Sequence, residues 1–300
     1  MTLRTGTFTS PEDNLSLASY VWGEDVSPLR GVVQIAHGLA EHSERYARLA
    51  DALNAAGYAV AAIDHRGHGR SISSGEDGGT PGTPGDFGAS GWDGLVNDLV
   101  AYGAYLQDQH PDVPRFLIGH SMGSFAAQSA ILEHSDLWDG VVLSGSTALD
   151  VLAESMANAP EDGPQGLEAF NAGFTHRTGY EWLSRDEAEV DAYVADPLCG
   201  FDVPETTMPQ LFSHVGLLAN PEVLKGIRDN LPLLIVSGDA DPLAGGGRLI
   251  ELLGQRYREA GLDDVTVRLY PQARHEVFNE TNRDEVIGDV VDWVVAHTHA

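Results

Sequence analysis

This 300-residue sequence is short of cysteine, of lysine and of long apolar runs. Its one cysteine, Cys199, excludes an internal disulfide and any zinc site built on several thiolates. Lysine occurs once, at Lys225, and lysine and arginine together number 17 against 45 acidic residues, a formal net charge of −28. So negative a surface repels phosphate backbones and anionic lipid, which argues against nucleic-acid binding and stable membrane insertion. No apolar stretch approaches the roughly 18–20 residues of a membrane span. The first residues (MTLRTGTFTSPEDN) lack the apolar run of a signal peptide. A soluble, cytoplasmic protein is the expectation, and nothing in the sequence sets its oligomeric state.

Core material is plentiful. The chain is 42% hydrophobic and 21% charged, which suits one large domain or a domain carrying an insertion. Short apolar runs alternate with amphipathic stretches, the pattern of βα units around a mostly parallel sheet. Strands are predicted over 3–9, 15–22, 31–36, 58–63, 115–119, 139–144, 232–237 and 265–270. Helices are predicted over 43–56, 92–109, 122–134, 246–260 and 283–297. In the first of these, Tyr46, Leu49, Ala50 and Leu53 form one apolar stripe, and Gly57 stops the helix. Two stretches break the rhythm. Residues 74–91, rich in glycine and proline, read as a long loop near the sheet's edge. Residues 147–226 carry helical pieces but no convincing strand, as an inserted helical cap would, leaving 1–146 and 227–300 as the core.

The strongest local signal is Gly119-His120-Ser121-Met122-Gly123, between the apolar run Phe116-Leu117-Ile118 and the apolar helix opening at Phe125-Ala126-Ala127. A nucleophilic serine at a strand-to-helix turn needs glycines on either side, because side chains there would collide with neighbouring backbone. The turn lifts the hydroxyl clear of the sheet and aims the Met122 N–H at a developing oxyanion. The bland alternative, a glycine turn with an incidental serine, does not account for the partners that follow.

A serine nucleophile requires a base, and the base an orienting acid. Gly238-Asp239-Ala240-Asp241-Pro242 follows one late strand, and Pro271 to Glu276, with His275, follows the last. Both sit past strand C-termini, where reacting groups of open α/β sheets collect. A loop G-x-x-D turns before presenting its carboxylate, favouring Asp241 over Asp239, to which a turn role falls. The second oxyanion donor is assigned to the N–H of Leu39, after the strand at 31–36, with Gly38 permitting close approach. His37 is read as ordering that loop in preference to acting as a base. Asp64-His65-Arg66-Gly67-His68-Gly69-Arg70-Ser71 is read as a polar turn buttressing the serine turn. No metal-ligand spacing, dinucleotide fingerprint or P-loop is present, so neither metal nor cofactor is expected.

With these residues placed, the sequence resembles the monoacylglycerol lipase and lysophospholipase-like branch of the α/β-hydrolases over nearly its whole length. The likeness rests on four motifs in order: His37-Gly38-Leu39-Ala40-Glu41-His42-Ser43 with Arg45-Tyr46, Asp64 to Ser71, Gly119 to Gly123, and Gly238 to Asp241 followed by His275-Glu276. It implies an eight-stranded, mostly parallel sheet with its second strand antiparallel, flanking helices and a cap. It supports Ser121, Asp241 and His275 as a triad, Leu39 and Met122 as oxyanion donors, and a small-molecule acyl ester as substrate. The acidic residues of 147–226, among them Asp150, Glu161, Asp162, Asp186 and Glu189, depart from the apolar cap of relatives that dock on membranes. Rival readings are an aminopeptidase of the same fold, for which cap carboxylates would hold a substrate ammonium, and a non-catalytic binding protein.

Overall fold

The computed structural model describes residues 2–72, 82–158 and 166–298. Eight strands, β1 (Leu3–Thr9), β2 (Ser16–Trp22), β3 (Gly31–Ala36), β4 (Tyr58–Ile63), β5 (Arg115–His120), β6 (Gly140–Ser144), β7 (Leu233–Gly238) and β8 (Val265–Tyr270), form one sheet in the order β1-β2-β4-β3-β5-β6-β7-β8. β2 runs antiparallel to both neighbours, and every pairing from β4 to β8 is parallel. Strands covered on both faces need apolar side chains throughout. Accordingly β3, β4, β6 and β7 are buried along their whole length.

Helices α1 (Ala47–Ala55), α2 (Gly91–Gln109) and α3 (Met122–His134) follow the early strands. Within 147–226 come α4 (Leu149–Ala157), α5 (Glu187–Ala195) and the short α6 (Thr207–Leu211), α7 (Val215–Leu218) and α8 (Pro221–Leu224), with no strand among the described residues. α9 (Arg248–Ala260) and α10 (Arg283–Ala296) complete the core. Apolar side chains pack on both sheet faces. Trp92, Leu95, Phe125, Ile131 and Leu253 gather with residues of 147–226 on one face, and Leu49, Leu53, Val286, Val290 and Trp293 on the other. Among the described residues no helix is long and apolar enough to cross a membrane.

Three expectations need correction. The predicted helix 43–56 opens as a 3₁₀ turn over Ser43–Tyr46, because Asp64 captures the Ser43 N–H at 2.8 Å. The helix expected from 246 starts at Arg248, since Gly245, Gly246 and Gly247 take left-handed φ values of 58°, 69° and 84°. The described part of the loop at 74–91 lies not by the sheet's edge but past the C-terminal end of the interior strand β4. There Gly85 donates to Gly67 O at 2.7 Å, and its own carbonyl receives Thr207 Oγ1 at 2.8 Å. Residues 74–81 of that stretch lie outside the described residues.

Candidate active site

Ser121 sits between β5 and α3 with φ 49° and ψ −120°, a conformation non-glycine residues rarely hold unless the surroundings impose it. Its N–H is fixed to Ser144 O at 2.9 Å, and its carbonyl accepts Ser124 N at 2.8 Å as α3 begins. The flanking glycines behave as the spacing requires. A Cβ on Gly119 would lie 2.5 Å from Gly123 O, and one on Gly123 would collide with the backbone of Ala36. The sharp turn therefore exists only because both positions lack side chains.

The loop after β3 reaches the same point. A Cβ on Gly38 would meet Ser121 Cβ at 3.2 Å, so the loop backbone passes directly beside the serine. The N–H groups of Leu39 and Met122 find no acceptor among the described residues. His37 orders this loop: its Nε2 accepts the His65 N–H at 2.9 Å, so Nδ1 donates to Gly38 O at 2.8 Å. Burial also drives its pKa down and keeps the ring neutral. The turn at 64–71 braces this loop and not, as the sequence suggested, the serine turn. Asp64 accepts from Ser43 N, Tyr20 Oη and Arg70 N at 2.8–2.9 Å.

Of the two aspartates, Asp241 meets the histidine. His275 Nδ1 lies 2.9 Å from Asp241 Oδ2, and Asp241 Oδ1 accepts the Leu243 N–H at 2.8 Å. Asp239 instead accepts the exposed Gln272 N–H at 2.6 Å, a turn role. With Asp241 accepting at Nδ1, the imidazole lone pair is left at Nε2. Burial opposes a charge on His275, but the Asp241 carboxylate outweighs it and raises the pKa above the ordinary 6.5. Beside it, His120 is pushed down to about 4 by burial and by the neighbouring imidazole, so it stays neutral when His275 is charged. Ser121, His275, Leu39 and Trp182 line one cavity of about 20 Å³, room for a water molecule. No hydrogen bond joins Ser121 to His275 among the described residues, a looseness that unliganded hydrolases tolerate.

Sequence reasoning assigned no role to the ionic brace behind this cavity. Arg45 Nη1 contacts Glu41 Oε2 and Glu276 Oε1, both at 2.6 Å, and its Nη2 reaches Glu276 Oε2 at 2.7 Å. Glu41 also holds the Gly38 N–H and the Tyr46 hydroxyl. Burial alone would raise the Glu41 pKa, yet Arg45 and the surrounding donors hold it down at about 2. One guanidinium thus ties the loop of Leu39 to the loop of His275. Arg45→Met should cost about 3–5 kcal/mol, because it leaves two buried carboxylates without their cation. Urea unfolding of the variant against wild type measures the loss, and a shift under 1 kcal/mol would contradict a structural brace.

Distant parts of the chain also bring together His42, Asp196 and Cys199, whose potential ligand atoms lie within 4.8 Å of one another. No spacing along the sequence reveals such a group. In the structure His42 Nε2 is engaged with Asp196 at 3.0 Å, and burial pushes the Cys199 thiol far up, away from the thiolate a metal needs.

A strained serine after the fifth strand, an Asp–His pair past the last two, and two N–H groups beside the serine with no acceptor among the described residues fit an α/β-hydrolase of the serine type. The family described as serine aminopeptidase, S33 matches residues 27–282, and the chain belongs to it. A monoacylglycerol lipase of Mycolicibacterium smegmatis is 32% identical over 92% of either chain. The monoglyceride lipase of Homo sapiens is 29% identical over 90% of this chain and 84% of its own. A thermostable carboxyl esterase from Bacillus coagulans, solved with glycerol, superposes with a TM-score of 0.84 at 26% identity over the full length of both. The protein is a carboxylic ester hydrolase.

Proposed function

We propose that the enzyme hydrolyses monoacylglycerols or closely related small acyl esters through an acyl-serine. The 2.9 Å Asp241–His275 pair, sharing a cavity wall with the strained Ser121, carries this reading. In it, His275 Nε2 takes the Ser121 proton as Oγ attacks the ester carbonyl. The Leu39 and Met122 N–H groups then receive the oxyanion. The imidazolium, stabilised by Asp241, gives its proton to the departing alcohol, and water repeats the sequence on the acyl-enzyme. Residues 147–226 act as the cap and confine the acyl group; 1–146 and 227–300 form the core beneath it.

The family's description raises the peptidase reading again. An aminopeptidase needs a carboxylate free to hold an ammonium. Glu41 and Glu276 line the cavity, yet each already accepts from Arg45 on one or both oxygens, and from Gly38, Tyr46 or Asn279 besides. In 147–226, Asp150 pairs with Arg256, Asp186 with Arg283, and Glu189 with Arg48. Glu161 and Asp162 lie outside the described residues. No carboxylate lining the cavity is free among the described residues, which favours the esterase.

The test is a chain-length series of monoacylglycerols and p-nitrophenyl esters, run beside an aminoacyl p-nitroanilide. Preference for medium- or long-chain monoacylglycerols is the expected result. Activity confined to short esters would withdraw the monoacylglycerol assignment, and cleavage of the anilide alone would replace it with the peptidase.

A further inference from the structure

Trp182 lies in the cavity wall directly on the histidine. Its ring centroid is 4.7 Å from that of His275 at an interplanar angle of 40°, and Phe170 lies tilted against it at 5.2 Å. The backbone fixes it there. Trp182 N donates to Asn171 Oδ1 at 3.0 Å, Trp182 O accepts His275 N at 3.3 Å, and Leu183 O accepts Glu276 N at 2.8 Å. The side chain is only 3% exposed. Yet its indole Nε1–H, a donor with no acceptor capacity, finds no partner among the described residues. Ten other buried side-chain atoms also lack a partner among the described residues, but Trp182 alone of these residues lines the cavity of Ser121 and His275, which points to a partner that arrives with the ligand.

Its place decides which part of the ligand. The carbonyl oxygen belongs at Leu39 and Met122, on the serine side. The leaving oxygen must lie at His275 to collect a proton, so whatever the indole beside that imidazole reaches is attached to the alcohol. We propose that Trp182 donates a hydrogen bond to a free hydroxyl of the alcohol portion, making it a specificity residue for polyol over plain alkyl esters. This rests on the ester-hydrolase reading of Ser121 and His275.

Trp182→Phe keeps an aromatic ring against His275 and removes only the N–H and part of the ring area. The kcat and KM of wild type and variant are measured on a monoacylglycerol and on the ethyl ester of the same fatty acid. Loss of one neutral hydrogen bond should lower kcat/KM for the glycerol ester roughly tenfold further than for the ethyl ester. Parallel losses on both esters would reduce Trp182 to packing, and no loss on either would remove it from recognition; both outcomes overturn the proposal. A second readout needs no substitution. In wild type labelled with nitrogen-15 at tryptophan, one indole N–H resonance should shift downfield with a 1-O-alkylglycerol ether and stay in place with the matching alkyl ethyl ether. Absence of that difference also overturns the proposal. If wild type cleaves neither ester but the resonance still responds to the glycerol ether, hydrolysis is the reading that fails and hydroxyl recognition stands.

Discussion

Ser121→Ala should lower kcat for ester cleavage by about 10⁴- to 10⁶-fold while leaving the fold intact. The substitution removes a single oxygen that has no hydrogen-bond partner among the described residues. It preserves the Cβ that packs against Gly38 and the backbone bonds that hold the turn to Ser144 and Ser124. Stability should therefore stay within about 0.5 kcal/mol of wild type. Turnover, by contrast, loses the nucleophile of the proposed mechanism, which shares a cavity wall with the Asp-paired imidazole. Active-site titration with a fluorophosphonate, read beside steady-state rates, checks both halves. Rates within a hundredfold of wild type from a folded, unlabelled variant would mean that another group attacks the ester.

Asp241→Asn should cost nearly as much, for a different reason. The amide has the shape of the carboxylate, and its oxygen can still accept the Leu243 N–H. Toward His275 Nδ1, however, it would present an N–H. That drives the imidazole proton to Nε2 and removes the lone pair that takes the Ser121 proton in the proposed mechanism. A wrong tautomer of this kind lowers kcat by about 10⁴ in a serine protease triad of the same logic.

The pH profile should carry a second signature. In the proposed mechanism the neutral imidazole is the active form, so kcat/KM should fall as pH drops through the His275 pKa. In wild type Asp241 raises that pKa, and the acid limb should be centred above the ordinary 6.5. Glu276 and Glu41 push in the same direction, more weakly. Without Asp241, desolvation becomes the dominant influence on a buried ring, and the acid limb of the residual activity should move to lower pH. Variant and wild-type profiles with coincident limbs would show that another group controls the rate.

What could be read from the residues divides by physical cause. The central strands β3 to β7 were placed within one residue because each is a short apolar run that must be dry on both faces, as Leu233–Gly238 is. Helix starts were less legible: at 246 and 247 the apolar rhythm ran on through glycines whose left-handed backbone forbids a helix. In the site, Ser121, Asp241 and His275 stood out because each follows a strand end, which a linear reading can locate. Arg45 did not, since its bond to Glu276 joins residues 231 positions apart. Trp182 was equally hidden. It lies in a stretch with no periodicity, and its value depends on contact with a histidine from another part of the chain.

The hydrogen bonds between 182–183 and 275–276 also bear on how an ester reaches a cavity the size of a water molecule. Arg274 Nη1 binds the carbonyls of Glu181 and Ser184, and Arg185 pairs with Glu280, so this wall is riveted to the loop that carries the base. Ala40 O, receiving Gly200 N and the Tyr193 hydroxyl, pins a second stretch of the same segment to the oxyanion loop. Pulling either stretch outward would take the imidazole or the Leu39 amide with it and dismantle the site in the act of admitting substrate. The short stretch bearing Leu167 is tied to the same wall in turn, Asn171 Nδ2 donating to Glu181 Oε2 at 2.8 Å and Asn171 Oδ1 accepting Trp182 N at 3.0 Å. If Ser121 and His275 act as proposed, the ester must be admitted by a motion that leaves these bonds in place.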